Sequence, residues 1–151
     1  MSINHAPHKY LKINYPVNIP LEEVTLQGNL TIPDGAKGIV VFAHGSGSSR
    51  NSPRNRYVAG VLNEYGLATL LIDLLSYEEE AIDIETRHLR FNIPMLADRL
   101  TGIANWIHND STINNLNIGF FGSSTGGGAA LIAAAQSDNN IKAVVSRVGR
   151  P

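Results

Sequence analysis

The 151-residue sequence predicts an α/β fold, in which a mostly parallel β-sheet is flanked by helices and preceded by antiparallel strands. Two patterns carry this prediction. Four short, almost continuously apolar segments are typical of strands buried on both faces, and helical segments separate them. The first thirty or so residues instead alternate apolar and polar side chains, which indicates antiparallel strands with one buried face.

The predicted strands follow one another in a regular order. The alternating pair runs from Leu11 to Ile19 and from Val24 to Ile32, and Pro33-Asp34-Gly35 then marks a turn. The apolar strands are predicted at residues 38–43, 66–72, 116–121 and 141–145. With 43% hydrophobic residues, the chain can bury one core. We therefore expect a single domain over residues 1–151, with residues 1–10 as a flexible tail.

Three helices are predicted between the strands. The first begins at Ser52-Pro53, an N-cap followed by proline, and the third directly follows Ser124. The second lies between Pro94 and Asn109-Asp110. The apolar stripes expected to face the core are Val58, Val61, Leu62 and Tyr65 in the first helix, and Ile93, Leu96, Leu100, Ile103 and Ile107 in the second. The acidic run Glu78 to Glu80 is interpreted as a solvated loop, with a role as a lid or in substrate specificity as the alternative.

Charge and composition argue against several classes of partner. A formal net charge of -1 predicts no nucleic-acid partner, and apolar runs far shorter than about 20 residues predict no membrane partner. The sequence has no cysteine, so it offers neither disulfides nor thiolate metal ligands. We expect no metal and no cofactor, and the lack of cysteine favours a cytoplasmic location.

The segment from Gly122 to Gly126 reads Gly-Ser-Ser-Thr-Gly, a G-x-S-x-G motif between an apolar strand and an alanine-rich helix. A serine on such a sharp strand-to-helix turn exposes its hydroxyl, which makes Ser124 the candidate nucleophile. A second loop, the Gly/Ser loop from His44 to Ser49, follows the first apolar strand. We expect the backbone N–H groups of Ser46 and Thr125 to form the oxyanion hole.

Three further residues are candidates for contact with a substrate. His44 begins the Gly/Ser loop, Arg54 lies at the start of the first helix, and Asp73 ends a buried strand. Each has a simpler interpretation. His44 could order the loop, Arg54 could be solvated, and Asp73 could cap a turn.

Four sequence segments together resemble the dienelactone hydrolase branch of the α/β-hydrolases. They are H-G-S-G, S-P-R-N-R, L-L-I-D-L-L with its acidic run, and G-F-F-G-S-S-T-G-G-G-A-A. The resemblance covers Leu21 to Pro151 and implies an α/β-hydrolase-type fold that cleaves a small-molecule ester, lactone or thioester. The name-giving enzymes use cysteine as nucleophile, where this chain has Ser124.

The same resemblance implies a catalytic acid and a histidine on two later strands. No histidine follows Ser124, and the only later acidic residue is Asp138. We therefore expect a partial domain that lacks the C-terminal strands and has little activity alone. The alternative is a non-catalytic assembly module, in which the exposed final strand, with Val144 and Val145, pairs with a second copy or with a completing chain.

Overall fold

The computed structural model describes residues 12–136 and 140–147. The predicted tail at residues 1–10 and the position of Asp138 lie outside the described residues. In chain order the elements are β1 (Lys12–Pro20), β2 (Thr25–Pro33), β3 (Gly38–Ala43), α1 (Pro53–Glu64), β4 (Ala68–Ile72), α2 (Tyr77–Thr86), α3 (Ile93–Asn109), β5 (Asn117–Ser123), α4 (Thr125–Ala135) and β6 (Ala143–Arg147). Over the described ranges, no helix has the length and apolar character needed to cross a bilayer.

The six strands form one sheet in the order β1-β2-β4-β3-β5-β6. The pairs β1/β2 and β2/β4 are antiparallel, whereas β4, β3, β5 and β6 run parallel to one another. The predicted α/β class and the antiparallel start are therefore confirmed. Because β3, β4 and β5 are parallel, the loops after them emerge at the same edge of the sheet.

The centre of the core lies on the parallel strands, as their continuous apolar runs predicted. Val41, Leu70 and Phe120 are almost completely buried. In the predicted stripe of α3, Leu96, Leu100, Ile103 and Ile107 are buried in the same hydrophobic cluster, Ile93 is half-buried, and the helix packs against α4. Burying one such side chain stabilises the fold by about 1.5 to 3 kcal/mol. Asn92 caps α3, because its side chain accepts the Met95 N–H at 3.2 Å.

The predicted start of α1 is confirmed, but its predicted buried face is only partly so, because Val58, Val61 and Leu62 are half-buried and Tyr65 is not buried. Ser52 caps the helix and accepts the Asn55 N–H at 3.3 Å. The helix then buries Ala59 and Asn63, while Tyr65 is 56% exposed. Asn63 can be buried because its amide donates to the Leu67 carbonyl at 2.9 Å and to the Thr69 hydroxyl at 3.1 Å.

The acidic run Glu78 to Glu80 belongs to a helix, so the predicted loop is wrong. Ser76 and Glu79 form a capping box, in which each side chain accepts the other residue's backbone N–H, at 3.1 Å and 2.9 Å. Glu79 also accepts two hydrogen bonds from Arg99, both at 2.6 Å. Burial raises the pKa of Glu79, but these hydrogen bonds outweigh it and lower the pKa overall.

Candidate active site

Ser124 occupies a strained turn between β5 and α4. Its φ of 54° and ψ of -121° lie outside the regions that residues with a side chain normally adopt. Its backbone N–H donates to the Arg147 carbonyl at 2.9 Å, and its own carbonyl accepts the Gly127 N–H at 2.9 Å. These contacts hold the strained backbone, and the Ser124 side chain is exposed at the carboxyl edge of the parallel strands.

The glycines on either side of Ser124 allow the turn to press against the sheet. A Cβ atom built on Gly122 would lie 2.4 Å from the Gly126 carbonyl oxygen. One built on Gly126 would lie 2.2 Å from the Ala43 carbonyl oxygen and 2.5 Å from that of His44. Both positions therefore require glycine because of close approach rather than an unusual φ.

The loop after β3 lies directly beside this turn. A Cβ atom built on Gly45 would lie 3.3 Å from the Ser124 Cβ atom. Ser46 and Thr125 line one cavity of about 10 Å³, roughly the space of a single water molecule. Neither of their backbone N–H groups donates to any of the described residues. The structure thus brings the two residues together, and their role as oxyanion donors stays a prediction.

His44 is buried and uses both ring nitrogens. Its Nε2 accepts the Leu74 N–H at 3.0 Å, which assigns the proton to Nδ1, and Nδ1 then donates to the Gly45 carbonyl at 2.8 Å. Burial lowers the pKa of His44, and the opposing effects of Gly45, Asp73 and Glu80 only partly offset it. His44 therefore ties the Gly/Ser loop to the end of β4 as a neutral ring. Its contact with a substrate stays a prediction.

The lowered pKa of His44 predicts a pH-dependent stability. In the folded protein the ring stays neutral to a lower pH than 6.5, its ordinary pKa, whereas the unfolded chain begins to bind a proton near pH 6.5. The stability from the neutral ring is thus fully present above pH 6.5 and is lost as the pH falls through the folded pKa.

We expect the free energy of unfolding, measured with urea from about pH 8 to about pH 5, to fall more steeply in the wild type than in His44→Gln. Glutamine keeps an acceptor for Leu74, so the variant tests the titration rather than the hydrogen bond. Parallel pH profiles for the two proteins would contradict the assignment.

Asp73, directly after β4, contacts Arg50, which follows the C-terminal end of the Gly/Ser loop. It accepts the Arg50 backbone N–H at 2.7 Å and pairs with the Arg50 guanidinium. Asp73 also lines a cleft of about 460 Å³, together with Ser49 and Tyr77. Arg54 is exposed and does not line that cleft. Contact of Asp73 and Arg54 with a substrate stays a prediction.

No pattern in the sequence indicated the ion pair between Asp83 and Arg90, which lies near the same loop. Asp83 is completely buried; it accepts Arg90 Nε at 2.8 Å and the Leu89 N–H at 2.7 Å. Burial raises the pKa of Asp83, but these hydrogen bonds outweigh it and hold the pKa below its ordinary value. Arg87 adopts a φ of 58° at the end of α2, which turns the chain so that Arg90 meets Asp83.

A mostly parallel sheet with a serine turn after β5 gives this chain the α/β-hydrolase fold. Within that class it fits the dienelactone hydrolase-like branch. The structure of a dienelactone hydrolase from Anabaena variabilis is similar to this chain, with 60% sequence identity and a TM-score of 0.88 between the two. The match covers 90% of this chain and 63% of that one. The esterase Pf2001 of Pyrococcus furiosus shares the fold at 20% identity and a TM-score of 0.71, with 90% of this chain and 51% of that one covered.

The curated relatives are much longer than this chain. A protein of Mycobacterium tuberculosis, whose name proposes a phosphoribosyl transferase, is 52% identical over 135 residues; these are 89% of this chain and 30% of that protein. This chain therefore spans about a third of the relative's length. No protein-family model matches the chain.

Proposed function

We propose that this chain carries the nucleophile and oxyanion hole of a serine hydrolase of the dienelactone hydrolase type, acting on an ester, lactone or thioester. One observation carries the proposal: Ser124 stands exposed on a strained turn beside two backbone N–H groups, of Ser46 and Thr125, that have no acceptor among the described residues. The 60% identity with a dienelactone hydrolase supports it.

The chemistry follows from this arrangement. Ser124 Oγ would attack the carbonyl carbon of the substrate, and the carbonyl oxygen would become an oxyanion in the cavity beside Ser46 and Thr125. The positive end of the α4 dipole would stabilise the same charge. The alcohol or thiol then leaves with a proton, and water releases the acid from the acyl-serine. Each lost oxyanion donor would raise the barrier by about 3 kcal/mol.

A serine hydroxyl also needs a base. Among the described residues, no side chain forms a hydrogen bond with Ser124 Oγ, and His44 has both nitrogens engaged. We therefore propose that the acid and the histidine come from residues outside those described. The 460 Å³ cleft, which shares His44, Gly47 and Glu80 with the smaller cavity, would hold the substrate.

A fluorophosphonate probe tests the proposal, because it phosphonylates an activated serine. We expect the protein expressed from its complete reading frame to be labelled at Ser124, with peptide mass spectrometry locating the label. Labelling should disappear in Ser124→Ala. An unlabelled wild-type protein that is folded by circular dichroism would overturn the proposal.

Two other functions have an observation in their favour. Among the described strands β6 pairs only with β5, and Val145 is 52% exposed, which favours assembly with a second copy or another chain. A stable monomer by light scattering would argue against it. The mycobacterial relative favours phosphoribosyl transfer. Pyrophosphate release from phosphoribosyl diphosphate that persists in Ser124→Ala would favour that function over hydrolysis.

A further inference from the structure

Arg90 holds one guanidinium nitrogen beside the loop that follows β3. Its other two nitrogens are engaged, because Nε donates to the Asp83 carboxylate at 2.8 Å and Nη2 to the Asp83 carbonyl at 3.1 Å. Nη1 has no hydrogen bond to the described residues, and it lies 3.5 Å from a Cβ atom built on Gly47. The Arg90 side chain is only 17% exposed, so its position is fixed largely by protein contacts.

Arg90 lines the same small cavity as Ser46 and Thr125. A volume of about 10 Å³ accommodates one oxygen atom rather than a whole carboxylate or phosphate group. A guanidinium cannot lose its proton in a protein, and its hydrogen bonds to an anion are roughly twice as strong as hydrogen bonds between two neutral groups. The third nitrogen of Arg90 is therefore suited to an oxygen that becomes negative during a reaction.

We propose that Arg90 Nη1 is a third, charged donor to the oxyanion formed when Ser124 attacks its substrate. This inference rests on the proposed function. Asp83 fixes the guanidinium before the reaction, so no rearrangement is needed as the charge develops. Glu80 lines the same cavity, and its carboxylate opposes the charge of Arg90 there.

The proposal predicts a defect in the rate rather than in substrate binding. In the full-length protein with neutral ester substrates, Arg90→Gln should lower kcat about 100-fold and leave KM within about threefold. Arg90→Lys should recover part of the rate. The matched control is Arg56→Gln, which removes an exposed arginine charge on α1 and should leave both constants unchanged.

A second measurement separates this role from a structural one. A trifluoromethyl ketone forms an oxyanion with an active serine, so its affinity should fall in Arg90→Gln by the same factor as kcat/KM. The affinity for the alcohol product should stay constant. Glu80→Gln, which leaves the ion pair of Arg90 intact, should raise the affinity for the ketone severalfold.

The outcomes distinguish the two proposals. If the fluorophosphonate does not label the wild-type protein, the proposed function is overturned. If the wild type is labelled, two results would overturn the role of Arg90 but not the proposed function. Either Arg90→Gln keeps kcat within threefold of the wild-type value, or it loses affinity for the ketone and for the product together. If Arg90→Gln does not fold, Arg90→Lys and Glu80→Gln still decide, and an unchanged ketone affinity in both would overturn the role.

Discussion

Ser124→Ala is expected to lower kcat for ester hydrolysis by about 10⁴- to 10⁶-fold, because alanine cannot form the acyl intermediate. The residual rate would come from binding and from the oxyanion donors, which the substitution leaves in place. The fold should persist, since alanine keeps the Ser124 backbone contacts with Arg147 and Gly127. The measurement is kcat with a chromogenic ester, on protein checked by circular dichroism.

Ser123→Ala is the matched control for this variant. The Ser123 hydroxyl is buried and has no hydrogen-bond partner among the described residues, so its loss breaks no contact there. We expect an unchanged kcat and a free energy of unfolding within about 0.5 kcal/mol of the wild type. If instead Ser124→Ala stayed within tenfold of the wild-type rate, the hydrolysis would not depend on this turn.

The sheet could be predicted because burial leaves a strong signal in the sequence. A strand covered on both faces must be apolar at almost every position, as in Phe120 and its neighbours, and a half-covered strand must alternate. The approach of Ser46 to Thr125 was also predictable, since loops after parallel strands emerge at one edge. The sequence pattern was therefore sufficient to predict the sheet and the position of the candidate nucleophile.

The contacts that were missed depend on single side chains rather than on a repeated pattern. The capping box of α2 was present in the sequence as Ser76 and Glu79, but the acidic run was interpreted as a loop. The pairing of Asp83 with Arg90 had no such signal, because it requires the left-handed turn at Arg87. Such turns are uncommon for arginine and cannot be inferred from periodicity.

Gly126→Ala is expected to lower the free energy of unfolding by about 3 kcal/mol. The added methyl group would overlap the carbonyl oxygens of Ala43 and His44, which belong to the backbone and cannot rotate away. Helix α4 would have to move off the end of β3, and Ser124 would move with it. A displacement of about 1 Å can cost 100-fold in rate, so activity should fall as well. Urea unfolding and kcat measure the two effects.

Two glycine controls separate this overlap from the general effect of alanine. Gly60 in α1 has no atom near an added Cβ, and Gly128 in α4 would meet Ile93 at an ordinary 3.5 Å. Alanine favours the helix over glycine, so Gly60→Ala should stabilise the protein by about 0.5 to 1 kcal/mol, and Gly128→Ala should not destabilise it. If Gly126→Ala behaved like these controls, α4 could move away from β3 without loss of stability. The close approach of the two elements would then not explain why position 126 is glycine.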